Sequence, residues 1–387
     1  MTPSSPGWRR RVRRFITLCT VLVAGLLWAG SAFAHKASDS YLGLRVNGGE
    51  VSGQWDIALR DIEVVLGLDA DGDGEIRWGE LRRRHEALAA WALSALSLER
   101  GGRCSLTVTG HAVDEHTDGA YAVLSLAGRC PGSSGPLLLD YRLLLEVDTL
   151  HRGLLKLDLD GVAQAAVLVP GQAPPAFEST PPGPLASMAA FLMQGVWHIW
   201  IGLDHILFLL ALLLPAVLVR RAGRWVGVSG FGPAARDVVA VVTAFTAAHS
   251  ITLSLAALGW VSLPSRWVES AIAASVVLAA ANNLRPMIGG RRWMVAFGFG
   301  LIHGFGFASV LSDLGLPAAT LAWSLAGFNI GVELGQLAIV AVFLPLAYGL
   351  RHTGLYRLVI FTGGSWAAMV LAALWFVQRA FDLSWPG

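Results

Sequence analysis

The chain has 387 residues, of which 54% are hydrophobic and 14% are charged, and its net charge is +2. Its mean hydropathy is +0.56. This composition is too apolar for a purely soluble protein, and it fits an integral membrane protein with an attached soluble part. The small net charge gives no indication of a nucleic-acid partner, and we expect none.

Residues 1–34 have the pattern of a secretory signal peptide. Five arginines lie between positions 9 and 14, the stretch from Phe15 to Trp28 is apolar, and Ala32-Phe33-Ala34 is a small-x-small cleavage site. Cleavage there makes His35 the first residue, and its α-amine and imidazole form a chelating pair favoured by Cu²⁺. The alternatives are an uncleaved membrane helix, for which the apolar run is short, and an ordinary exposed N-terminus.

Residues 35–169 predict an exported, β-sandwich-like domain. Short segments rich in β-forming residues alternate with Gly, Asn, Asp and Pro. One interruption, from Trp78 to Leu98, has apolar residues at helical spacing and predicts an inserted helix. The predicted strands are Tyr41–Val46, Val51–Leu59, Ser105–Thr109, Tyr121–Leu126, Leu137–Val147, Leu154–Leu159 and Ala165–Val169.

Cys104 and Cys130 are the cysteines that remain after removal of the signal peptide. Because export exposes them to an oxidising compartment, we expect them to form a disulfide. The alternative is a pair of unrelated small core residues, since the sequence does not show whether their Cα atoms come within bridging range.

Residues 69–80 match a calcium-binding EF-hand loop that precedes the inserted helix. Carboxylates at alternate positions supply hard oxygen ligands, and Gly74 permits the sharp turn. The ninth position is Arg77, a cation where an oxygen is common, so weak calcium affinity is expected. The alternative is a solvated acidic turn that caps the following helix. The predicted ligands are Asp69, Asp71, Asp73, Glu75 and Glu80.

Residues 170–185 form a Pro-rich linker that marks a domain boundary. The helical membrane domain follows at 186–380. It contains six apolar segments, each long enough to cross the roughly 30 Å hydrocarbon layer as a helix. The predicted segments are 186–218, 238–261, 267–285, 293–312, 321–349 and 355–379.

Arginines in the connecting segments predict the orientation in the membrane. They follow the first, third and fifth apolar segments, whereas the other loops have almost none beyond Arg266. Because basic loops favour the cytoplasmic side, the β-rich domain is expected outside the cytoplasm, as the signal peptide independently requires. We therefore expect a multi-pass protein of the bacterial inner membrane. The basic residues are Arg220, Arg221, Arg224, Arg236, Arg285, Arg291, Arg292, Arg351 and Arg357.

The first apolar segment contains the group of side chains that is hardest to explain by packing alone. His198 and His205 are seven residues apart and so share a helix face, and Asp204 neighbours the second histidine. Ionisable side chains inside a bilayer are costly and most often functional. Imidazoles bind divalent ions such as Ni²⁺, Co²⁺ and Zn²⁺, and a carboxylate binds directly or orients a ring. The alternative is a satisfied core histidine.

Other segments add potential ligands. His249 and His303 lie among Ala, Gly and Ser, whose small side chains let helices approach closely enough to share a ligand. Glu333 shares a face with Asn329 and Gln336, and it is a candidate to close the site or carry a proton. For the amides the alternative is interhelical hydrogen bonding.

At these residues the chain resembles the HupE/UreJ family of bacterial membrane proteins, which are associated with nickel or cobalt uptake. His198, Asp204 and His205 reproduce the family's H-x₅-D-H pattern, and the similarity extends through Thr246–Ser250, Phe299–Ala308 and Phe328–Glu333. Residues 148–153 and the calcium-type loop resemble the longer family branch with an exported domain. Short members carry F-H-G-x-A-H-G-x-E, of which His303-Gly304 remains, and His249 is the candidate replacement.

Two functional classes fit these residues. The first is a metal-ion permease in which the histidines, Asp204 and Glu333 bind a partly dehydrated ion. The second is a zinc-dependent intramembrane hydrolase in which three histidines hold Zn²⁺ and a carboxylate acts as general base. A calcium-dependent adhesion module leaves the intramembrane histidines unexplained. The chain has no G-x₄-G-K-[ST] loop for ATP. The expected partners are the metal ion and the lipid bilayer. A periplasmic protein is a further candidate partner, which the sequence does not identify.

Overall fold

The computed structural model describes residues 38–116, 119–148, 151–181, 183–288, 291–307 and 318–381. The predicted signal peptide, its cleavage site and His35 lie outside these residues. The described chain begins with a β-rich domain and continues into a helical domain.

A six-stranded mixed sheet forms the larger part of the β-rich domain. Leu42, Leu44 and Val46 are buried at alternate positions of its first strand, as expected where one sheet face covers a core. The strand order is β4-β5-β2-β1-β7-β8, with β1 parallel to β7 and the other neighbours antiparallel. The strands are β1 (Asp39–Asn47), β2 (Glu50–Ala58), β4 (Ser105–His116), β5 (Gly119–Arg129), β7 (Arg152–Leu159) and β8 (Val162–Leu168).

A three-stranded sheet, in the order β3-β6-β9, lies across the same core. Buried residues of the large sheet, such as Trp55 and Leu124, share one apolar cluster with Leu98 and Leu139 of the small sheet. The predicted β-rich domain is thereby confirmed. The strands are β3 (Leu96–Glu99), β6 (Leu137–Tyr141) and β9 (Ala176–Phe177).

The helices of this domain differ from the single predicted insertion. They are α1 (Leu59–Leu66), α2 (Trp78–Arg83) and α3 (His85–Ser94). The prediction that the inserted helix continues to Leu98 is therefore wrong, because α3 ends at Ser94. Leu96 and Leu98 are buried in the core at alternate positions of a strand that pairs with β6. Their burial and pairing outweigh the local preference for a helix. The predicted strand to Val147 ends at Tyr141, and Leu144 beyond it has a positive φ of 56°.

A buried chain of hydrogen bonds ties β1 to the segment before β7. Ser38 Oγ lies 2.5 Å from His151 Nδ1, and Tyr141 Oη lies 2.5 Å from His151 Nε2. Ser40 Oγ is 2.8 Å from the same tyrosine oxygen. Burial lowers the pKa of His151 to about 3, so the imidazole is neutral near pH 7. This network accounts for the histidine of the 148–153 motif.

The helical domain has seven α-helices and a short hairpin among its described residues. A 3₁₀ turn, Gly304–Phe307, extends α8, and a π-helical segment, Leu355–Gly363, precedes α10. The hairpin is β10 (Leu218–Arg221) and β11 (Arg224–Gly227). The helices are α4 (Pro184–Ile201), α5 (Leu203–Leu213), α6 (Phe231–Ala257), α7 (Ser265–Leu284), α8 (Arg292–His303), α9 (Ala318–Leu350) and α10 (Gly364–Phe381).

Several of these helices are long and apolar enough to cross a membrane. In the described part of the chain there are four such spans, and the bent pair α4–α5 makes a fifth if it counts as one span. The remaining predicted segment, 293–312, overlaps the 12-residue α8, which begins at Arg292, and continues into residues outside the described ranges. The predicted membrane domain with several apolar helices is confirmed.

Glycines let the helices pack with their backbones in close contact. A Cβ on Gly327 or Gly331 would lie 2.1 Å or less from a carbonyl oxygen of α4. A Cβ on Gly300 would lie 2.4 Å from the Phe245 carbonyl oxygen of α6, and one on Gly304 equally close to that of His249. Each pair is four residues apart, one on α9 and the other on α8 and the 3₁₀ turn that extends it. Such small-residue stripes are expected at membrane helix interfaces.

The β-rich domain rests on one end of the helical domain. Leu154 and Tyr41 belong to the same apolar cluster as Ala256 at the end of α6 and Leu321 and Leu325 near the start of α9. This end is called the β-domain end below. The large sheet thus lies against the helix bundle through strands β1 and β7.

Candidate metal centre

The first predicted membrane segment is not one helix. It breaks at Gly202, where α4 and α5 meet at 72°, and the predicted continuous helix over 186–218 is therefore wrong. A Cβ on Gly202 would lie 2.7 Å from the His198 carbonyl oxygen and 2.8 Å from His205 Nδ1. Helical periodicity alone cannot reveal the break, because Gly202 is also compatible with a continuous apolar helix.

The break brings four histidines together. The ring of His205 lies 4.5 Å from that of His198, 5.4 Å from that of His303 and 6.5 Å from that of His249, measured between centroids. His198 and His249 are 6.2 Å apart. His205 is therefore the central member of a cluster drawn from helices α4, α5, α6 and α8, called the histidine cluster below.

The histidine cluster is enclosed by aromatic side chains. Phe208 and Phe245 lie 4.6 and 5.2 Å from the ring of His303. His205, His249 and His303 are 8%, 0% and 1% exposed. Desolvation strengthens any interaction between these imidazoles and a cation, and it makes an unpaired ring nitrogen costly.

Asp204 determines which nitrogen of His205 is available to a ligand. Its Oδ1 accepts hydrogen bonds from the backbone N–H of His205 at 2.9 Å and from its Nδ1 at 3.0 Å. Because the carboxylate accepts, Nδ1 carries the proton, and a neutral ring then has its lone pair on Nε2. His205 Nε2 is buried and has no hydrogen-bond partner among the described residues.

Ser275 has the corresponding effect on His303. Its hydroxyl donates to the carbonyl oxygen of Ile272 at 2.7 Å and lies 2.9 Å from His303 Nε2. The hydroxyl has a single proton, so it must accept from Nε2–H, which leaves the lone pair on Nδ1. His303 Nδ1 is also buried without a partner in the described ranges, as are both ring nitrogens of His249. Buried nitrogens of this kind are suited to ligate a metal ion.

Helix ends favour a cation at this position. His198 lies in the last turn of α4 and His303 in the last turn of α8, where backbone carbonyls carry partial negative charge. Asp204 lies in the first turn of α5, and its negative charge offsets the positive end of that helix. Broken membrane helices bind ions in transporters through the same kind of helix ends.

Two further charged residues adjoin Asp204. Arg379 Nη2 of α10 lies 3.8 Å from Asp204 Oδ2, and Arg379 Nε lies 3.8 Å from Glu269 Oε2 of α7. Neither Arg379 nor Glu269 is among the residues predicted for the site. An arginine in the final turn of an otherwise apolar segment was the available signal.

The ligand atoms of the histidine cluster do not converge on one point. In the described part of the chain, the one group of three His, Cys, Asp or Glu atoms within 4.8 Å of one another is Asp69, Asp71 and Asp73. Glu333 accepts a hydrogen bond from Thr243 Oγ1 at 2.7 Å. Thr243 precedes His249 by six residues on α6, about 9 Å along the helix axis. Glu333 thus lies at a different level of the helix bundle from His249.

The comparison with known families concerns the part of the chain that contains the histidine cluster. A family model described as HupE / UreJ protein matches residues 178–379, which is more than half of the chain. The chain belongs to the HupE/UreJ family. A comparison with curated proteins found no match.

The match covers the helical domain of this HupE/UreJ family member from its first helix to residue 379 in its last helix. His198, Asp204, His205, His249, His303 and Glu333 all lie inside the matched residues. The β-rich domain precedes the matched residues, which begin at residue 178. The family match and the helices together make the chain a membrane protein.

The EF-hand-type loop of the HupE/UreJ chain brings its three aspartates together. Backbone N–H groups of Gly72 and Gly74 donate to Asp69, which holds the pKa of that carboxyl below its ordinary value. Arg77 Nη1 lies 2.5 Å from Asp73 and 3.5 Å from Asp71. The guanidinium therefore interacts with the carboxylates that would bind calcium.

The other two predicted calcium ligands are turned to different partners. Glu75 pairs with Arg77 at 3.3 Å. Glu80 accepts from the backbone N–H groups of Ala70 and Arg77, both at 3.0 Å, which forms a capping box at the start of α2. Calcium ligation by Glu80 through both oxygens would require these hydrogen bonds to rearrange.

Cys104 and Cys130 are joined by a disulfide that closes a separation of 26 residues. Cys104 immediately precedes β4 and Cys130 immediately follows β5. The bond therefore links the ends of two antiparallel neighbours in the large sheet.

Proposed function

We propose that this HupE/UreJ chain is a membrane permease for a divalent transition-metal ion, with nickel or cobalt as the favoured cargo. The observation that carries the proposal is the position of His205, within 6.5 Å of three other imidazoles at a break in a membrane helix. The HupE/UreJ family is generally linked to nickel and cobalt transport. The proposed intramembrane ligands are His198, Asp204, His205, His249 and His303, with Glu333 as a further carboxylate on the path.

The chemistry of the donor set supports a borderline divalent ion. His205 Nε2 and His303 Nδ1 have lone pairs fixed by Asp204 and Ser275. Neutral imidazole suits Ni²⁺, Co²⁺ and Zn²⁺, whereas Mg²⁺ and Ca²⁺ prefer oxygen ligands. An incoming ion would exchange water for these nitrogens inside an aromatic enclosure.

The spread of the donor atoms favours passage over permanent binding. A zinc hydrolase needs three protein ligands on one metal with an open fourth position. The described imidazoles do not place three ligand atoms within 4.8 Å of one another. Conduction requires binding that is weak or divided among several positions, so that the ion can leave. The hydrolase is therefore the less favoured use of the same residues.

We place the protein in the bacterial inner membrane with six passes. The bent pair α4–α5 makes the first pass, and the predicted segment 293–312, to which α8 belongs, makes the fourth. The hairpin arginines then lie in the cytoplasm, in agreement with the positive-inside rule. The β-rich domain lies outside the cytoplasm, over the end of the bundle nearest to Asp204 and Glu269.

For the exported domain we propose a structural role that includes calcium. The convergence of Asp69, Asp71 and Asp73 supports a hard-cation site, and Arg77 among them supports weak affinity. A disulfide between Cys104 and Cys130 fits an oxidising compartment. His35, as the mature N-terminus, is a second proposed metal ligand.

Uptake into proteoliposomes tests the proposal. Ni²⁺, Co²⁺, Cu²⁺ and Zn²⁺ would be offered to the wild type, to His205→Ala and to the control His352→Ala, at matched incorporation. His352 is exposed at the far end of the bundle and outside the histidine cluster. Saturable uptake of one ion that His205→Ala abolishes and His352→Ala retains is expected. Stoichiometric metal retained through purification without uptake would contradict transport and favour the enzyme.

A further inference from the structure

Three charged side chains form a group beside the histidine cluster, at the β-domain end of the bundle. Arg379 of α10 lies between Asp204 of α5 and Glu269 of α7, and it is 3.8 Å from a carboxylate oxygen of each. All three are about four-fifths buried, with side-chain exposures of 19%, 20% and 22% for Arg379, Asp204 and Glu269. One guanidinium is therefore shared between two carboxylates.

The two carboxylates are held in equivalent ways. Asp204 Oδ1 binds His205, and its Oδ2 faces Arg379. Glu269 Oε1 accepts from Ser265 Oγ at 2.5 Å, and its Oε2 faces Arg379. Both partners are thus fixed by their other oxygen, whereas the guanidinium is at ion-pair distance from each.

Arg379 already has contacts on the side of Glu269. Its Nη1 donates to the backbone carbonyl oxygen of Glu269 at 3.4 Å, and its guanidinium carbon lies 5.8 Å from the ring of Trp375. A small rotation would move the side chain from Asp204 towards Glu269 without leaving it unpaired. Isolated buried charges are costly, so a second carboxylate is what permits such a movement.

We propose that Arg379 is a tethered cation that competes with the transported ion for Asp204. The inference rests on the proposed permease function and adds a determinant of its affinity and selectivity. With the site empty of ion, Arg379 balances the charge of Asp204. When a divalent ion reaches Asp204 and His205, Arg379 pairs with Glu269, and it returns when the ion leaves.

Charge selectivity follows from this competition. At equal distance a divalent ion is attracted to Asp204 twice as strongly as the guanidinium is, whereas a monovalent ion has no such advantage. The arginine therefore excludes Na⁺ and K⁺ while admitting a divalent ion. It also lowers the affinity of the site for that ion, which promotes release, because an ion that is held too tightly is not conducted.

Binding and uptake of Ni²⁺ by the full-length protein in lipid nanodiscs and proteoliposomes test this role. Arg379→Gln is expected to lower the Kd by about tenfold or more, since the competing charge is lost. Saturated uptake is expected to slow in the same variant, and Na⁺ at high concentration should now inhibit binding. Arg266→Gln is the matched control. Arg266 lies at the same end of the helix pair α7–α10, where it donates to the backbone of Ala380, and its variant should leave the Kd unchanged.

Glu269→Gln gives the opposite test. It removes the second carboxylate, so Arg379 remains on Asp204 and the Kd for Ni²⁺ should rise. Arg379→Lys retains the charge and should bind close to the wild type. The tethered-cation role would be overturned if the Kd for Ni²⁺ rose or stayed constant in Arg379→Gln. The permease would stand if wild-type Ni²⁺ binding still depended on His205. Wild-type protein that binds no divalent ion would overturn both this role and the permease.

Discussion

Asp204 Oδ1 lies 3.0 Å from Nδ1 of His205, the residue that follows it in the chain. The same oxygen accepts the His205 backbone N–H, so the carboxylate fixes both the tautomer and the ring position. Every other histidine of the cluster is arranged around that ring. We therefore expect ion binding to depend most strongly on the pairing of these two residues.

Asp204→Asn is expected to weaken ion binding while preserving the fold. The amide oxygen can still accept from His205, but the negative charge is lost, and substitution of such orienting partners typically costs about 10–100-fold in metal affinity. Calorimetric titration with Ni²⁺ measures the effect. Glu333→Gln, a carboxylate bonded to Thr243 at another level of the bundle, is expected to cost less. Equal losses in the two variants would contradict the central position assigned to Asp204.

Gly202→Ala is expected to abolish uptake without preventing membrane insertion. The new Cβ would lie within 2.8 Å of both His198 O and His205 Nδ1, so the break between α4 and α5 must shift. Gly298→Ala in α8 is the matched control, since a Cβ there meets no atom within 4 Å. The rate of uptake per incorporated protein is the measurement. Retention of wild-type uptake by Gly202→Ala would show that the close approach at the break is not required.

The β-rich domain is expected to lose stability in mild acid. His151 has a pKa of about 3 in the folded protein because burial disfavours its charged form, against 6.5 for the free side chain. Below pH 6.5 the unfolded chain binds a proton that the folded chain does not. The stabilisation is complete above that pH and is lost as the pH falls towards 3, by roughly 1.4 kcal/mol per pH unit.

Hydrogen exchange of the β7 amides, corrected for the intrinsic pH dependence, measures this change in the full-length protein. Wild type should lose about 2 kcal/mol of protection free energy between pH 6.5 and 5. His151→Gln should be less stable near pH 7 and should show a smaller pH dependence. A slope as steep in His151→Gln as in wild type would assign the acid sensitivity to other groups.

Arg77→Gln is expected to strengthen calcium binding by the EF-hand-type loop. The guanidinium lies 2.5 Å from Asp73 and 3.5 Å from Asp71, so calcium must displace it. Removal of that charge should lower the Kd for calcium by about tenfold, because the ion no longer competes with a guanidinium for the two carboxylates. Calcium titration followed by the fluorescence of Trp78, which lies within the loop, reports the change. If neither protein responds to calcium, the loop is an acidic turn that caps α2.

The sequence predicted the parts of this molecule that depend on local pattern. Alternating apolar residues indicated the strands, and apolar length indicated the membrane helices. His198 and His205 were expected to share one face of a continuous helix, whereas the structure brings their rings together across the break at Gly202. What it could not predict depends on contacts between distant residues. The predicted helix included Leu96 and Leu98, yet these residues form β3 because they pair with β6 and pack in the core.

The charges around the site show the same limit. Arg379 lies 175 positions after Asp204 in the chain, and the closeness of the two follows from how α10 packs beside α5 and α7. In the sequence, Gly202 is one small residue within an apolar segment and does not indicate a helix break. The need for glycine there follows from the positions of His198 O and His205 Nδ1. Glu333 was grouped with the histidines by type, and its level in the bundle is set by the packing of α9.

X-ray absorption at the nickel edge, on wild type and His205→Ala loaded with Ni²⁺, tests most directly whether His205 is the centre of the site. We expect imidazole scattering from at least two rings in the wild type and loss of that pattern, with fewer nitrogen neighbours, in the variant. An unchanged spectrum in His205→Ala would place the ion elsewhere and contradict the proposed site.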